Sequence, residues 1–220
     1  MDMLGPYELN TIITGDAREL AKAIPDESVD LIFTDPVYDR IDDYRWLAET
    51  AARVLRPGGW CVAFQYTGYL SDTMTAMSRF MKYQWQIILY YSNRFKYVYS
   101  PVGKSTYTPA LVYSNGEAKR NGFSMDLRKS SFNSFNSNHV WSKPLDWIAY
   151  YQSALSIMGN IVFDPFTGGG TVPAVCKMLR RNYLAFEIDS AIADMARQRV
   201  AETQPPLLID MPEQMSMSLD

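Results

Sequence analysis

Short β-branched or aliphatic runs alternate with stretches of helical periodicity along most of the chain. Thr11–Thr14 is a compact β-branched run stopped by Gly15-Asp16, and residues 17–24 have helix-forming composition up to Pro25. Residues 29–34 form a second β-rich run that ends abruptly at Asp35-Pro36, which puts those two residues at a strand's carboxyl end. Apolar positions at helical spacing predict a helix over 44–55, ended by Arg56-Pro57-Gly58-Gly59 ahead of a strand over 60–65. A helix over 71–81 follows. Two β-like runs, 85–91 and 110–114, are joined by a long tyrosine-rich connection and read as an antiparallel edge pair. The alternation then resumes: helix 144–158, strand 161–163, helix 171–179, strand 183–186, helix 190–202. Strands alternating with helices predict an α/β fold, a mostly parallel, doubly wound sheet with an antiparallel hairpin at its edge.

Residues 115–138, rich in Ser, Asn and Gly, carry no period of either kind and read as an extended loop or small appended subdomain. From Thr203 onward Pro, Met, Ser and acidic residues predominate, so 203–220 reads as a flexible tail. With 220 residues, 47% hydrophobic and 20% charged, the rest is expected to form one packed domain over 1–202, with 92–138 as an insertion. Cys61 and Cys176 lie far apart without a CxxC partner or a histidine cluster, so neither a metal site nor a disulfide framework is expected. No apolar run approaches the roughly 18–20 residues of a membrane span, and Met1 to Pro6 lacks the features of a signal peptide. A cytoplasmic location is the expectation.

The formal net charge of −3 argues mildly against a protein that coats a polyanion, but its distribution says more. Arg94, Lys96, Lys104, Lys119, Arg120, Arg128 and Lys129 fall in one segment that holds only Glu117 and Asp126 as acids. A solvated loop with chance charge is one reading. Interleaving with Tyr91, Phe95, Tyr97, Tyr99, Tyr107, Phe123, Phe132 and Phe135 favours nucleic acid, because cations hold the phosphate backbone while aromatics stack on bases. The tyrosines between 90 and 113 serve edge-strand packing equally well.

Two constellations carry candidate chemistry. Asp164-Pro165-Phe166-Thr167-Gly168-Gly169-Gly170-Thr171 follows a strand and opens a helix, where glycine lets backbone approach a ligand closely. It lacks the Gly-Lys-Ser/Thr of a phosphate-cradling loop, and the third glycine of a dinucleotide fingerprint falls on Pro173. A plain turn would explain glycines alone. Glu187, at the end of the next strand, is where a carboxylate can accept hydrogen bonds from ribose hydroxyls, so together they suggest an adenosine ligand. Asp35-Pro36-Val37-Tyr38 also sits at a strand's carboxyl end, the edge where open α/β sheets gather ligands, although an Asp-Pro turn with a surface tyrosine would look the same.

Taken together the chain resembles the amino-methyltransferases that modify adenine N6 or cytosine N4 in DNA. Asp35 to Tyr38 resembles the family's Asp-Pro-Pro-Tyr, residues 164–171 its Asp-Pro-Phe-x-Gly-Ser-Gly-Thr loop, and 181–187 the strand ending in its ribose-binding acid. Gly15-Asp16, Val54-Leu-Arg-Pro-Gly-Gly59 and His139-x-x-x-Lys143-Pro144 are weaker matches, and the catalytic motif precedes the cofactor loop as in the permuted beta group. The resemblance implies a Rossmann-like methyltransferase fold, S-adenosylmethionine as cofactor, and duplex DNA as partner, with 92–138 as a small target-recognition insertion. It implies that Asp35, Pro36, Val37 and Tyr38 form the catalytic motif. Asp16 would lie near the cofactor adenine, Asp164, Pro165, Phe166, Thr167, Gly168, Gly169, Gly170 and Thr171 along its methionine part, and Glu187 on its ribose. Adenine N6 is favoured because the family's cytosine members more often begin the motif with serine. Val37 stands where proline is usual and Gly169 where serine is usual. A relative that binds cofactor or DNA without catalysis, and an enzyme acting on cytosine N4, RNA or a protein amide, are the alternatives. The group also raises a homodimer, for which no interface pattern is visible. His139 and Lys143 are read as packing or hydrogen-bonding residues of the segment flanking the loop.

Overall fold

The computed structural model describes residues 2–90, 96–100, 103–118, 127–129 and 143–204. A small hairpin of β1 (Met3–Leu4) and β2 (Tyr7–Glu8) precedes β3 (Thr11–Thr14), α1 (Ala17–Leu20) and a tight 3-10 turn, Ala21–Ala23. Next come β4 (Val29–Thr34), α2 (Ile41–Val54), β5 (Leu55–Phe64), the 3-10 turn Thr67–Tyr69, α3 (Leu70–Met77) and β6 (Lys82–Tyr90). The pair β7 (Lys96–Ser100) and β8 (Gly103–Ser105) leads into β9 (Tyr107–Ser114), and β10 (Leu127–Lys129) precedes α4 (Leu145–Leu155). The chain closes with β11 (Ile161–Asp164), α5 (Thr171–Met178), β12 (Asn182–Glu187) and α6 (Ser190–Glu202).

Eight strands form the main sheet in the order β10-β6-β9-β5-β4-β11-β12-β3. All neighbours pair in parallel except β9, which runs antiparallel to both β5 and β6. The expected antiparallel hairpin is therefore β6–β9, and the three-residue β10 adds an outer strand beside β6 inside the stretch that showed no period. Three residues are too few for a pattern to stand out.

Both faces of the central strands are buried, as a parallel sheet requires. Leu31, Phe33, Val62 and Phe64 pack with α4, α5 and α6 on one side. Val29, Ile32, Cys61 and Ala63 pack with α1, α2 and α3 on the other. The helix after β4 thus lies on one face and the helix after β11, its neighbour, on the opposite face. Chain departing to opposite faces from adjacent strands opens a crevice at their carboxyl ends, and that crevice is where ligands enter such sheets.

Local differences from the sequence expectations have identifiable causes. The helix expected over 17–24 tightens after Leu20 because Arg53 on α2 donates to the carbonyls of Ala21 at 2.7 Å and Ile24 at 2.6 Å. The turn expected at 56–59 lies inside β5 as an outward bulge: pairing jumps from Val29–Leu55 to Leu31–Trp60, and Arg56 meets Asp30 at 2.5 Å. The helix expected over 71–81 stops at Met77. No helix among the described residues is long and apolar enough to cross a membrane.

Candidate active site

Five parallel strands deliver their last residues to one edge: Thr14, Thr34, Phe64, Asp164 and Glu187. Asp35 follows Thr34 directly, so the expected catalytic motif and the glycine loop lie on either side of the crevice between β4 and β11. Pro36 is buried, Asp35 and Tyr38 are half-buried, and Val37 is 53% exposed, pointing outward where the family places a proline.

The Asp35 side chain is held by a residue 108 positions away. Lys143 Nζ donates to Asp35 Oδ2 and, at 3.0 Å, to the Tyr38 hydroxyl. Its ammonium also lies 4.5 Å from the centre of the Phe64 ring, a cation over an aromatic face. Asp35 Oδ1 is buried and has no hydrogen-bond partner among the described residues. A buried carboxylate oxygen left unpaired is costly, so it marks a place where a donor is wanted. Lys143 owes its position to α4, which begins two residues later and drives Trp147 into the core against Phe64, with ring centres 5.1 Å apart. Tyr44 on α2 pins the neighbouring strand end by donating to the Phe64 carbonyl at 2.7 Å; burial, then Asp35, push its phenol far up from the usual range.

The glycine loop is organised by two carboxylates. Asp164 is 3% exposed and spends both oxygens inside the protein: Oδ1 accepts from Thr34 Oγ1 at 2.7 Å and from the Phe166 N–H at 3.3 Å, and Oδ2 from Thr167 Oγ1 at 3.0 Å. Burial lifts its carboxyl to about 7, against the downward pull of those donors, with Asp35 adding a smaller upward push. Glu187 accepts from the Gly168 N–H at 2.9 Å and the Asp189 N–H at 3.0 Å. A carboxylate has about four acceptor sites, so roughly two remain for a ligand's hydroxyls. Gly170 adopts φ +76° and abuts Ala196 of α6, whereas the space beside Gly168 is open for 4 Å. Phe166 packs edge-on against Trp46 of α2, with ring centres 5.6 Å apart. Thr167, Gly170 and Thr171 are buried with Pro165, leaving Gly168, Gly169 and Phe166 as the accessible part of the loop. Asp16 caps α1 by accepting from the Arg18 N–H, and Gly15 donates to the Glu187 carbonyl, so Asp16 stands beside Glu187 on the same rim.

Three residues escaped the sequence reading of the site. The sequence assigns Lys143 a packing or hydrogen-bonding role without naming its partners; only the tertiary structure shows them to be Asp35 and Tyr38. Thr34 reads as the last residue of an apolar strand, yet its hydroxyl reaches Asp164 at the start of the loop. Ile188, 71% exposed directly after Glu187, is an apolar side chain at the rim, and an aliphatic residue following a strand-ending acid was the available signal. Of the residues expected to meet DNA, Lys96 lies on β7, Lys104 on β8, and Arg128 and Lys129 on β10, which pairs with β6. Arg94, Lys119 and Arg120 lie outside the described residues, as does His139.

A family model described as DNA methylase, for enzymes of the N6/N4 type, matches residues 29–198. The chain belongs to this family. Its members use S-adenosylmethionine as methyl donor. The type II methyltransferase M.HpaI of Haemophilus parainfluenzae is 24% identical, over 86% of this chain and 73% of its own. The DNA adenine methyltransferase YhdJ of Escherichia coli is 28% identical, over 88% of this chain and 83% of its own. Among solved structures, the M1.HpyAVI–SAM complex superposes with a TM-score of 0.73 at 24% identity, covering 86% of this chain and 98% of that one. The cytosine-N4-specific PvuII DNA methyltransferase does so with 0.75 at 16% identity, covering 86% and 85%. The last two carry the fold, a Rossmann-like methyltransferase sheet.

Proposed function

We propose that this chain is an S-adenosylmethionine-dependent DNA methyltransferase that methylates N6 of adenine in duplex DNA, acting on a base turned out of the helix. The observation that carries the reading is the buried Asp35 Oδ1, without a hydrogen-bond partner among the described residues, on a strand end adjacent to the one that opens the glycine loop. The loop suits the cofactor: Gly168 leaves open space, Glu187 retains acceptor capacity toward ribose hydroxyls, and Ile188 offers an apolar face beside it. Phe166, Gly168 and Gly169 would line its methionine part, and Asp16 its adenine. When bound, it supplies an electrophilic methyl group on a sulfonium.

An exocyclic amine is a weak nucleophile because its lone pair is delocalised into the ring. Asp35 Oδ1 accepts one amine N–H and the Pro36 carbonyl the other, which draws the nitrogen toward tetrahedral geometry and aims its lone pair. Tyr38 stacks on the extruded base. Neither function needs a proline ring at position 37, so Val37 leaves both acceptors in place. Adenine is favoured over cytosine by the acidic Asp35 and by the relative YhdJ, a DNA adenine methyltransferase. Segment 92–138, with its basic and aromatic residues, would contact the target duplex.

Incubation with cofactor and unmethylated duplex DNA, followed by digestion to nucleosides and mass spectrometry, tests the reading. N6-methyladenine is the expected product, lost in Asp35→Ala. N4-methylcytosine would reassign the base, and cofactor binding without a methylated nucleoside would refute the reading.

A further inference from the structure

We infer that Lys143 is a positioning residue for methyl transfer: by occupying Asp35 Oδ2 and the Tyr38 hydroxyl together, it dictates which carboxylate oxygen and which ring tilt the substrate amine meets. The inference rests on the function proposed above. A half-buried carboxylate next to a loop would otherwise rotate freely about its terminal bond and offer either oxygen. Lys143 removes that freedom. Its ammonium, on a side chain only 8% exposed, has three donors; one goes to Asp35 Oδ2 and one to Tyr38, while the Phe64 face supports the charge from below. Of the two Asp35 oxygens, Oδ1 is the buried one without a partner among the described residues.

The arrangement has a second consequence. A lone Asp35 carboxylate at the crevice would also accept from water or from the loop's own N–H groups, whereas the lysine fixes Oδ2 and so fixes where Oδ1 points. Anchorage through Trp147, fully buried on α4, keeps the ammonium from following solvent. Lys143 therefore acts through Asp35 and Tyr38.

The test is steady-state kinetics of the full chain on duplex DNA with Lys143→Met and Lys143→Arg, alongside calorimetric cofactor affinity and thermal unfolding. Lys143→Met is expected to lower kcat about 100-fold, the scale of a small misplacement of a reacting group, while KM for DNA and cofactor affinity stay within about twofold. Lys143→Arg, which keeps a charged donor toward Oδ2, is expected to recover roughly a tenth or more of the lost rate. A Lys143→Met enzyme within about threefold of wild-type kcat would overturn the inference, as would a kcat loss that merely tracks lost stability or cofactor affinity. Should the methionine variant not fold, Lys143→Leu, which likewise removes every donor, is judged by the same criteria. A wild-type chain that methylates nothing would instead defeat the proposed function and the inference with it; an active wild type with an indifferent Lys143→Met defeats the inference alone.

Discussion

The hydroxyl of Thr34 donates a 2.7 Å hydrogen bond to the carboxylate of Asp164 across the crevice, joining two residues 130 positions apart. Thr34 immediately precedes Asp35, and Asp164 opens the glycine loop, so one buried bond ties the two halves of the site. Thr34→Val keeps the shape and removes the donor, leaving Asp164 with one fewer partner in an apolar setting. It is expected to cost about 1–3 kcal/mol of stability in urea unfolding and to weaken cofactor binding; Thr34→Ser should restore both.

Asp164 also makes stability depend on pH. Its folded carboxyl lies near 7, above the ordinary 3.8, chiefly through burial. Between those values the folded state holds a proton that the unfolded state has lost, so stability falls as pH rises through this window and levels off above it. The slope reaches at most about 1.4 kcal/mol per pH unit. Denaturation midpoints from pH 4 to 8 should show this decline in the wild type and a flatter profile in Asp164→Asn; equal slopes would contradict the assignment.

Gly168 and Gly170 both adopt positive φ but differ in surroundings. A Cβ on Gly170 would lie 2.9 Å from Ala196 Cβ and 3.0 Å from its Cα, while one on Gly168 would meet nothing within 4 Å. Gly170→Ala should therefore suffer both backbone strain and a clash with α6, destabilising the fold by about 3 kcal/mol or more. Gly168→Ala should cost only about 1–2 kcal/mol, the backbone strain alone. Thermal unfolding of the two variants gives the comparison directly.

Glu187 holds the loop and the start of α6 through the N–H groups of Gly168 and Asp189. Glu187→Gln forces an amide NH2 toward one of those donors. Calorimetry is expected to show cofactor affinity reduced about tenfold or more, with the fold retained, as loss of a charged acceptor would give.

The order of motifs, the alternation of strands and helices, and the placement of Asp35, Asp164 and Glu187 at strand ends were legible in the sequence. These depend on local rules: β-branched runs make strands, and glycines or Asp-Pro pairs end them. Val29–Thr34 matches its expected limits because Asp35-Pro36 stops it, and Ser190–Glu202 does so because the Asp189 side chain caps its start. What the tertiary structure alone decided are pairings between distant residues. Lys143 under Asp35, Thr34 bonded to Asp164, and β9 inserted between β5 and β6 leave no periodic trace, since each depends on how helices and strands far apart in the chain pack against one another. Burial of Asp164 is the clearest case: the sequence marks a carboxylate beside a loop, and packing makes it an internal anchor with a raised proton affinity.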